Sequence, residues 1–328
     1  MPEKHIQSIK VSTPDLIIQP HVSLNDKNWF KTGGPAQFFC NPHTASEFQQ
    51  ALQFAHEHNL PLFMLGEGAN VLISDDGFAG LVIQPHLKEI KITAHTPDSV
   101  LIQAGAGVSM HDLINYCLAH NILGLEEFSG IPGTIGGAVY INLHYFEFLI
   151  EQFLVEAQII DKNTHEIQTV DRTWFAFGYN QSRLQEKNHY LVNATFALKG
   201  GNEQAISYAK GRQAEIIRHR TNRYPTRNTC GSFFRNFHEH EVDLTINNKK
   251  MIYIAYYLDK IGVKGSLRYG NAMVSHQHAN MIVNCGNATT HDILCVARSM
   301  QELVQKNFGI LPQSECLLIG FNNYPLLH

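Results

Sequence analysis

The residues with the clearest chemical potential are glycines. Three glycine-rich segments follow one another: Gly66-Glu67-Gly68-Ala69-Asn70, Ala104-Gly105-Ala106-Gly107, and Gly130-Ile131-Pro132-Gly133-Thr134-Ile135-Gly136-Gly137-Ala138. Glycine lets a backbone approach a ligand closely and adopt positive φ. Runs of such residues can aim several N–H groups at one anion. Tight turns between short strands would use the same residue, so the inference rests on the three loops together. They point to a pyrophosphate-containing cofactor. A second concentration of chemistry is the window 218–227, with Arg218, Arg220, Arg223 and Arg227 and no acidic residue. Guanidinium groups match diphosphates in charge and geometry. Two histidine pairs, His238/His240 and His276/His278, would each share one face of a strand. Neither has a third ligand at a recognisable spacing, so no metal site is expected.

These residues need a scaffold. The stretch 44–59 has apolar residues at helical spacing, with Thr44 as N-cap and Glu47 completing a capping box. Strands are expected at 60–65, 71–74, 81–84, 100–107, 152–161 and 190–200, and helices at 111–122 and 204–220. A loop follows over 221–232. The spacing then predicts an amphipathic helix over 249–262 stopped by Gly262, a strand-like segment at 273–286, and a long helix at 289–309. The first 27 residues read as an irregular lead-in. No long helix opens from the glycine loops, so the usual dinucleotide-binding fold is not expected. The pattern is α+β.

Composition bounds the rest. The chain has 328 residues, enough for about two domains. Charged residues make up 16% and the formal net charge is −4, so no general basic excess points to nucleic acid or an anionic membrane. The six cysteines show no CxxC spacing and read as reduced thiols. The N-terminus lacks the apolar core of a signal peptide, and no apolar run is long enough to span a bilayer. A cytoplasmic protein is expected, monomeric or weakly oligomeric, with a small-molecule substrate.

Motifs along most of the chain resemble, in order, those of the UDP-N-acetylenolpyruvoylglucosamine reductases. They are Asn28-Trp29-Phe30-Lys31-Thr32-Gly33-Gly34-Pro35-Ala36; Leu65 to Asn70 followed by Val71-Leu72-Ile73-Ser74; Gly130 to Ala138 with Asn142; Phe177-Gly178-Tyr179 with Ser182; Gly231-Ser232-Phe233-Phe234-Arg235-Asn236; Val274-Ser275 with His278-Ala279-Asn280 and Val283-Asn284; and Phe308-Gly309 with Glu315 and Ile319-Gly320. The resemblance implies a two-subdomain FAD-binding region of the vanillyl-alcohol-oxidase (PCMH) type over 28–203, and a C-terminal α+β substrate-binding domain over 204–328. The short interval from Tyr179 to Ser232 resembles the compact subtype, which lacks an extra substrate-capping tyrosine loop.

The implied reaction uses NADPH and FAD to reduce UDP-N-acetylglucosamine enolpyruvate in peptidoglycan precursor synthesis. Flavin loops would be Gly66, Glu67, Gly68, Ala69, Asn70 and Val71, with Gly130, Pro132, Gly133, Thr134, Gly136, Gly137 and Ala138. Ser232 matches the family's proton donor, and Glu315 the carboxylate that helps stabilise the enol-like intermediate. Substrate contacts would fall to Tyr179, Arg227, Arg235, Asn236 and His278. Three departures stand out, one of them a longer connection from Phe237 to Asn248 before the 249–262 helix. Asn180 occupies the place of a family arginine, with Arg183 three residues on as a candidate substitute. Leu143 to Leu149 is bulkier than the family's small segment beside the flavin. These departures keep two other readings open: a non-catalytic or regulatory flavin- or nucleotide-binding homologue, and a different oxidoreductase on the same FAD fold.

Overall fold

The computed structural model describes residues 16–96 and 98–328. The chain forms two compact units, and neither is one continuous stretch. The first comprises, among described residues, 16–20, 38–67 and 80–219 apart from 97; the second comprises 21–37, 68–79 and 220–328.

The first unit has two cores. The larger lies on an antiparallel sheet in the order Ile167–Asp171, Leu154–Asp161, His189–Gly200, Val100–Gly105, Ile90–His95. Helices Met110–Ala119 and Ile135–Tyr140 bury Leu113, Ile114 and Val139 with Ile102, Ile159 and Phe196 in this core. In the smaller core, helix Ala45–Glu57 buries Phe48, Leu52 and Ala55 with Leu81 and Ile83. Thr44 caps that helix by accepting the Glu47 N–H at 3.1 Å. The Glu47 carboxylate reaches one residue further back than a capping box requires, accepting the His43 N–H at 2.6 Å. Leu62–Met64 pairs in parallel with Leu81–Ile83.

The second unit is built on the hairpin and helices of the C-terminal third. Strands Arg268–Tyr269, Ala272–Val274 and Ile282–Asn284 form an antiparallel sheet. Helices Ile254–Ile261 and Thr290–Phe308 share one core with it. Segments from early in the sequence belong here. Phe30 and Leu72 are fully buried in that core. Val71–Ile73 pairs in parallel with Leu317–Ile319. The Asn284 amide donates to the Phe30 carbonyl at 2.8 Å, and the Thr290 hydroxyl to the Ile73 carbonyl at 2.6 Å.

Several expected elements are corrected. Of the irregular lead-in, residues 1–15, and with them the signal-peptide reading, lie outside the described residues; the remainder contains a strand, Gln19–Ser23. The helix expected over 249–262 begins only at Ile254. Lys249–Lys250 instead pairs with Thr245–Ile246 across Asn247 and Asn248, both at positive φ. An Asn-Asn pair suits such a two-residue hairpin turn, so local turn chemistry overrides the helical period. Gly262 ends the helix as expected, at φ +80°. The segment 273–286 is two short strands joined by a turn, so His276 and His278 do not share a strand face. His238 and Glu239–Glu241 form a single-turn 3-10 element and its cap, with the His238 and His240 rings stacked 5.5 Å apart.

Candidate functional site

In the first unit the loop after Met64 meets the third glycine segment. A Cβ on Gly66 would lie 2.8 Å from Thr134 Oγ1. The Gln84 amide donates to the Gly66 carbonyl at 2.8 Å, and Glu67 Oε2 accepts the Gly133 N–H at 2.9 Å. The Glu67 carboxylate therefore ties the two loops together. The third segment is not only a turn: Thr134 caps helix Ile135–Tyr140 by accepting the Gly137 N–H at 3.2 Å. The Ile135 and Gly136 N–H groups donate to Val108 and Ala106 carbonyls at 2.8 and 2.9 Å. Gly136 lies close to Ala106, Ala138 is buried, and Pro132 is half-buried. Gly130 stands at φ +73° and Gly133 at +133°.

The space around these glycines decides which of them can face a ligand. A Cβ on Gly133 would meet nothing within 4 Å, and one on Gly137 only Thr134 Oγ1 at 3.7 Å. That face is open, as a flat cofactor requires, so the segment fits FAD. The second glycine loop does not behave this way. Gly105 and Gly107 are pressed against the backbones of Leu87 and Pro85. Those two glycines serve chain packing, which corrects the expectation that all three loops face a ligand.

Nearby in the first unit, Gly178 and Gln181 exchange N–H···O bonds at 3.1 and 3.2 Å around Tyr179 and Asn180. Asn142 fastens this turn by donating to the Gly178 carbonyl at 3.1 Å and to Glu151 at 3.0 Å. Asn180 stands at φ +53°, with its carbonyl accepting from Gln185 Nε2 at 2.8 Å. Asn180 Nδ2 and Asn142 Oδ1 are buried with no partner among the described residues. Tyr179 is 42% exposed, with its ring 5.2 Å from that of His144. Burial holds the His144 ring below its ordinary pKa. Arg183 opens the turn Arg183–Glu186, and its guanidinium lies 5.1 Å above the Trp174 ring. It is engaged in a cation–π contact there.

The second unit assembles the other candidates on three adjoining segments. Ser232 is half-buried and follows Gly231 at φ +78°. The next residue, Phe233, accepts the N–H groups of Glu315 and Cys316 at 2.9 and 3.2 Å, and Arg235 N–H donates to the Gln313 carbonyl at 3.0 Å. On the other side, Phe233 N–H donates to the Asn280 carbonyl at 2.8 Å. The Asn280 side chain clasps Phe234, accepting its N–H at 3.1 Å and donating to its carbonyl at 2.7 Å. Ser232 and Glu315 thus stand on neighbouring hydrogen-bonded segments, 83 residues apart in sequence. The residues of the first glycine loop that belong here pack beneath them. Asn70 donates to the Glu315 carbonyl at 3.4 Å, its Oδ1 is buried without a partner among the described residues, and Val71 is buried in register with Leu317. Gly68, at φ +69°, packs on the backbone of Lys27 and Asn28, with half-buried Ala69 beside it.

The basic residues are distributed rather than pooled. Arg218 pairs with Glu215 at 2.8 Å on an exposed surface, and Arg227 is exposed. Arg220 and Arg223 lie 5.2 and 5.6 Å from the Tyr224 ring, which packs edge-on against His278. Arg235 makes a bidentate pair with Glu241, both bonds at 2.7 Å. Chiefly through that pair, the Glu241 carboxyl is drawn down to about 2. Glu241 lies in the long 237–248 connection, and sequence reasoning had no signal for it. Asn236 Oδ1 accepts the Ile254 N–H at 3.4 Å, capping the following helix.

Burial, with help from Arg223, pushes His278 down to about 4. Its Nδ1 accepts the Asn280 N–H at 3.3 Å, as a neutral ring can. Because the folded value lies below the unfolded one, the unfolded chain takes up the extra proton. His278 therefore withdraws stability as pH falls from 6.5 toward 4, by about 3 kcal/mol at the lower end. We expect His278→Gln to flatten the difference in unfolding free energy between pH 7 and pH 4.5. An unchanged pH dependence would show that His278 takes up its proton alike in the folded and unfolded chain.

Two family models match parts of this chain. The family model of the UDP-N-acetylenolpyruvoylglucosamine reductase C-terminal domain matches residues 223–319, and that of an FAD binding domain matches 36–170. A UDP-N-acetylenolpyruvoylglucosamine reductase of Synechococcus sp. (strain JA-3-3Ab) is 33% identical over 316 residues, covering 94% of each chain. The chain belongs to the UDP-N-acetylenolpyruvoylglucosamine reductase family. Another reductase of the family, from Acaryochloris marina, is 32% identical over 96% of this chain and 97% of its own. The crystal structure of the family's reductase from Thermus caldophilus superposes with a TM-score of 0.74 at 25% identity, covering 93% of this chain and all of that one. The expected α+β architecture, a flavin-binding region joined to the reductase family's C-terminal domain, is the observed one.

Proposed function

We propose that the chain reduces UDP-N-acetylglucosamine enolpyruvate to UDP-N-acetylmuramate with NADPH through FAD, in peptidoglycan precursor synthesis. The observation that carries this reading is the placement of Ser232 and Glu315 on adjoining segments of one ladder, in a chain of this family. Bound FAD supplies the exchange of two electrons and a proton between reductant and substrate. The open face of Gly133 and Gly137 would hold it, with Gly66, Glu67 and Thr134 setting the shape of the cradle.

Reducing the enolpyruvyl double bond also requires a proton at the carbon bearing the carboxylate. Ser232 Oγ is the assigned donor. Glu315 stabilises the enol-like form of the substrate on the adjoining segment. Asn180 takes the position of a family arginine and offers a hydrogen bond without charge, a weaker stabiliser of a developing anion. Arg183 would have to leave Trp174 to substitute for it. Tyr179, Arg227, Arg235, Asn236 and His278 are assigned to the substrate, with Arg235 positioned by Glu241. Flavin binding is assigned to 28–203 and substrate binding to 204–328. A cytoplasmic, monomeric or weakly oligomeric enzyme fits the reading. No helix among the described residues is long and apolar enough to cross a membrane.

The absence of charge at Asn180 favours one other reading, a flavin-binding homologue without turnover. Following NADPH absorbance with and without the enolpyruvyl substrate separates the two. Oxidation that depends on substrate supports the reductase, and oxidation indifferent to it rejects that reading.

A further inference from the structure

The segment where the sequence departs from the family's small residues folds as a hairpin in the first unit. His144–Tyr145 pairs with Phe148–Leu149, leaving Phe146 and Glu147 as a two-residue turn. Phe146 stands at φ +52°, and Glu147 is not among the residues with positive φ. Positive φ at the first central residue alone is the pattern of a type II′ turn, whose first central position favours glycine. A bulky aromatic residue in that conformation is strained.

Gln152 fastens the turn, donating to the Glu147 carbonyl at 3.2 Å and accepting the Leu149 N–H at 3.1 Å, but these bonds hold the backbone and leave the Phe146 ring outside the packing. The Phe146 side chain is 69% exposed, and its one ring contact among the described residues is the adjacent Tyr145, edge-on at 4.7 Å. The hairpin therefore holds an apolar ring in water at a position where glycine would serve the fold better. Its surroundings are aromatic. Two residues earlier, His144 packs its ring 5.2 Å from that of Tyr179, itself 42% exposed at the turn that presents Asn180. The hairpin is joined to the glycine face: Leu143 N–H donates to the Ala138 carbonyl at 2.8 Å, directly after helix Ile135–Tyr140.

We infer that Phe146 is a stacking residue for the heteroaromatic ring of a nucleotide other than the flavin, carried on the hairpin whose His144 packs against the exposed Tyr179 ring. The inference rests on the reductase reading only for which nucleotides reach the protein. Besides the flavin, two carry such a ring: the pyridine dinucleotide reductant and the uridine diphosphate sugar. Exposed aromatic rings bind flat heterocycles through stacking with little loss of side-chain freedom.

The test uses the FAD-loaded full chain, with NADP+ and UDP as separate probes by calorimetry. Phe146→Gly is the variant of choice because it relieves the turn. Its melting temperature is expected to equal or exceed that of the parent. Its affinity for one of the two probes is expected to fall about tenfold, and Phe146→Tyr to keep the parent's affinity. Loss confined to NADP+ assigns the ring to the reductant, and loss confined to UDP assigns it to the substrate. A fall for both assigns a platform shared in turn. Unchanged affinity for both probes overturns the inference, as does a lowered melting temperature, which would make Phe146 a packing residue. FAD retention is followed in parallel: loss of FAD from Phe146→Gly alone would assign the ring to the flavin and overturn the inference, whereas a parent chain that does not load FAD fails the reductase reading.

Discussion

Ser232→Ala should split the reaction in two. NADPH should still bleach the bound flavin at the parent's rate, because the serine hydroxyl has no part in that step. Return of the flavin colour on adding the enolpyruvyl substrate should slow by a factor of about 10² to 10⁴, the usual worth of a positioned proton donor. The fold gives no reason for the alanine to unfold the chain. Ser232 is half-buried, the Gly231 turn before it is preserved, and the bonds that hold Phe233 and Phe234 are made by the backbone and by Asn280. Stopped-flow absorbance of each half-reaction reads the outcome. Equal slowing of both steps would mean that Ser232 shapes the site without donating the proton.

Gly137→Leu should separate flavin binding from folding. Outside its own helix turn, no atom of the described residues stands nearer than 3.7 Å to a Cβ at Gly137, and its φ is not in the left-handed region. Inside helix Ile135–Tyr140, replacing glycine by leucine should leave stability unchanged or raise it by up to about 1 kcal/mol. If the open glycine face is the flavin cradle, the new side chain fills the place of the cofactor, and FAD affinity should drop more than tenfold while the apoprotein melts no lower. A variant that stays yellow with parental affinity would move the flavin elsewhere. Gly66→Ala is the informative contrast. There the Cβ collides with Thr134 Oγ1, so stability and flavin affinity should fall together.

Much of this could be read from the residues. Helix boundaries with strong local chemistry appear where the sequence places them, as at Thr44, Gly262 and Gly309. The ordered motifs located the glycine face and the Ser232 and Glu315 segments. What sequence could not disclose depends on distant partners. Residues 21–37 and 68–79 fold with the C-terminal third because Phe30, Leu72 and Asp75 find their contacts at Asn284, the shared core and the Thr290 N–H. No periodicity records that. The glycines at 105 and 107 looked like those at 133 and 137, and only the close approach of residues 85–87 distinguishes them. The Glu241 partner of Arg235 and the Trp174 partner of Arg183 are likewise three-dimensional facts. The shortened helix at 254–261 was legible in principle, since Asn247-Asn248 is a hairpin turn signal that the apolar spacing masked.

The most direct test of the account is to incubate the FAD-loaded protein with NADPH and UDP-N-acetylglucosamine enolpyruvate and to weigh the product. The account predicts one NADPH consumed for each UDP-N-acetylmuramate formed, two hydrogens heavier than the substrate. A protein that binds FAD and is reduced by NADPH, yet leaves the substrate's mass unchanged, would contradict it.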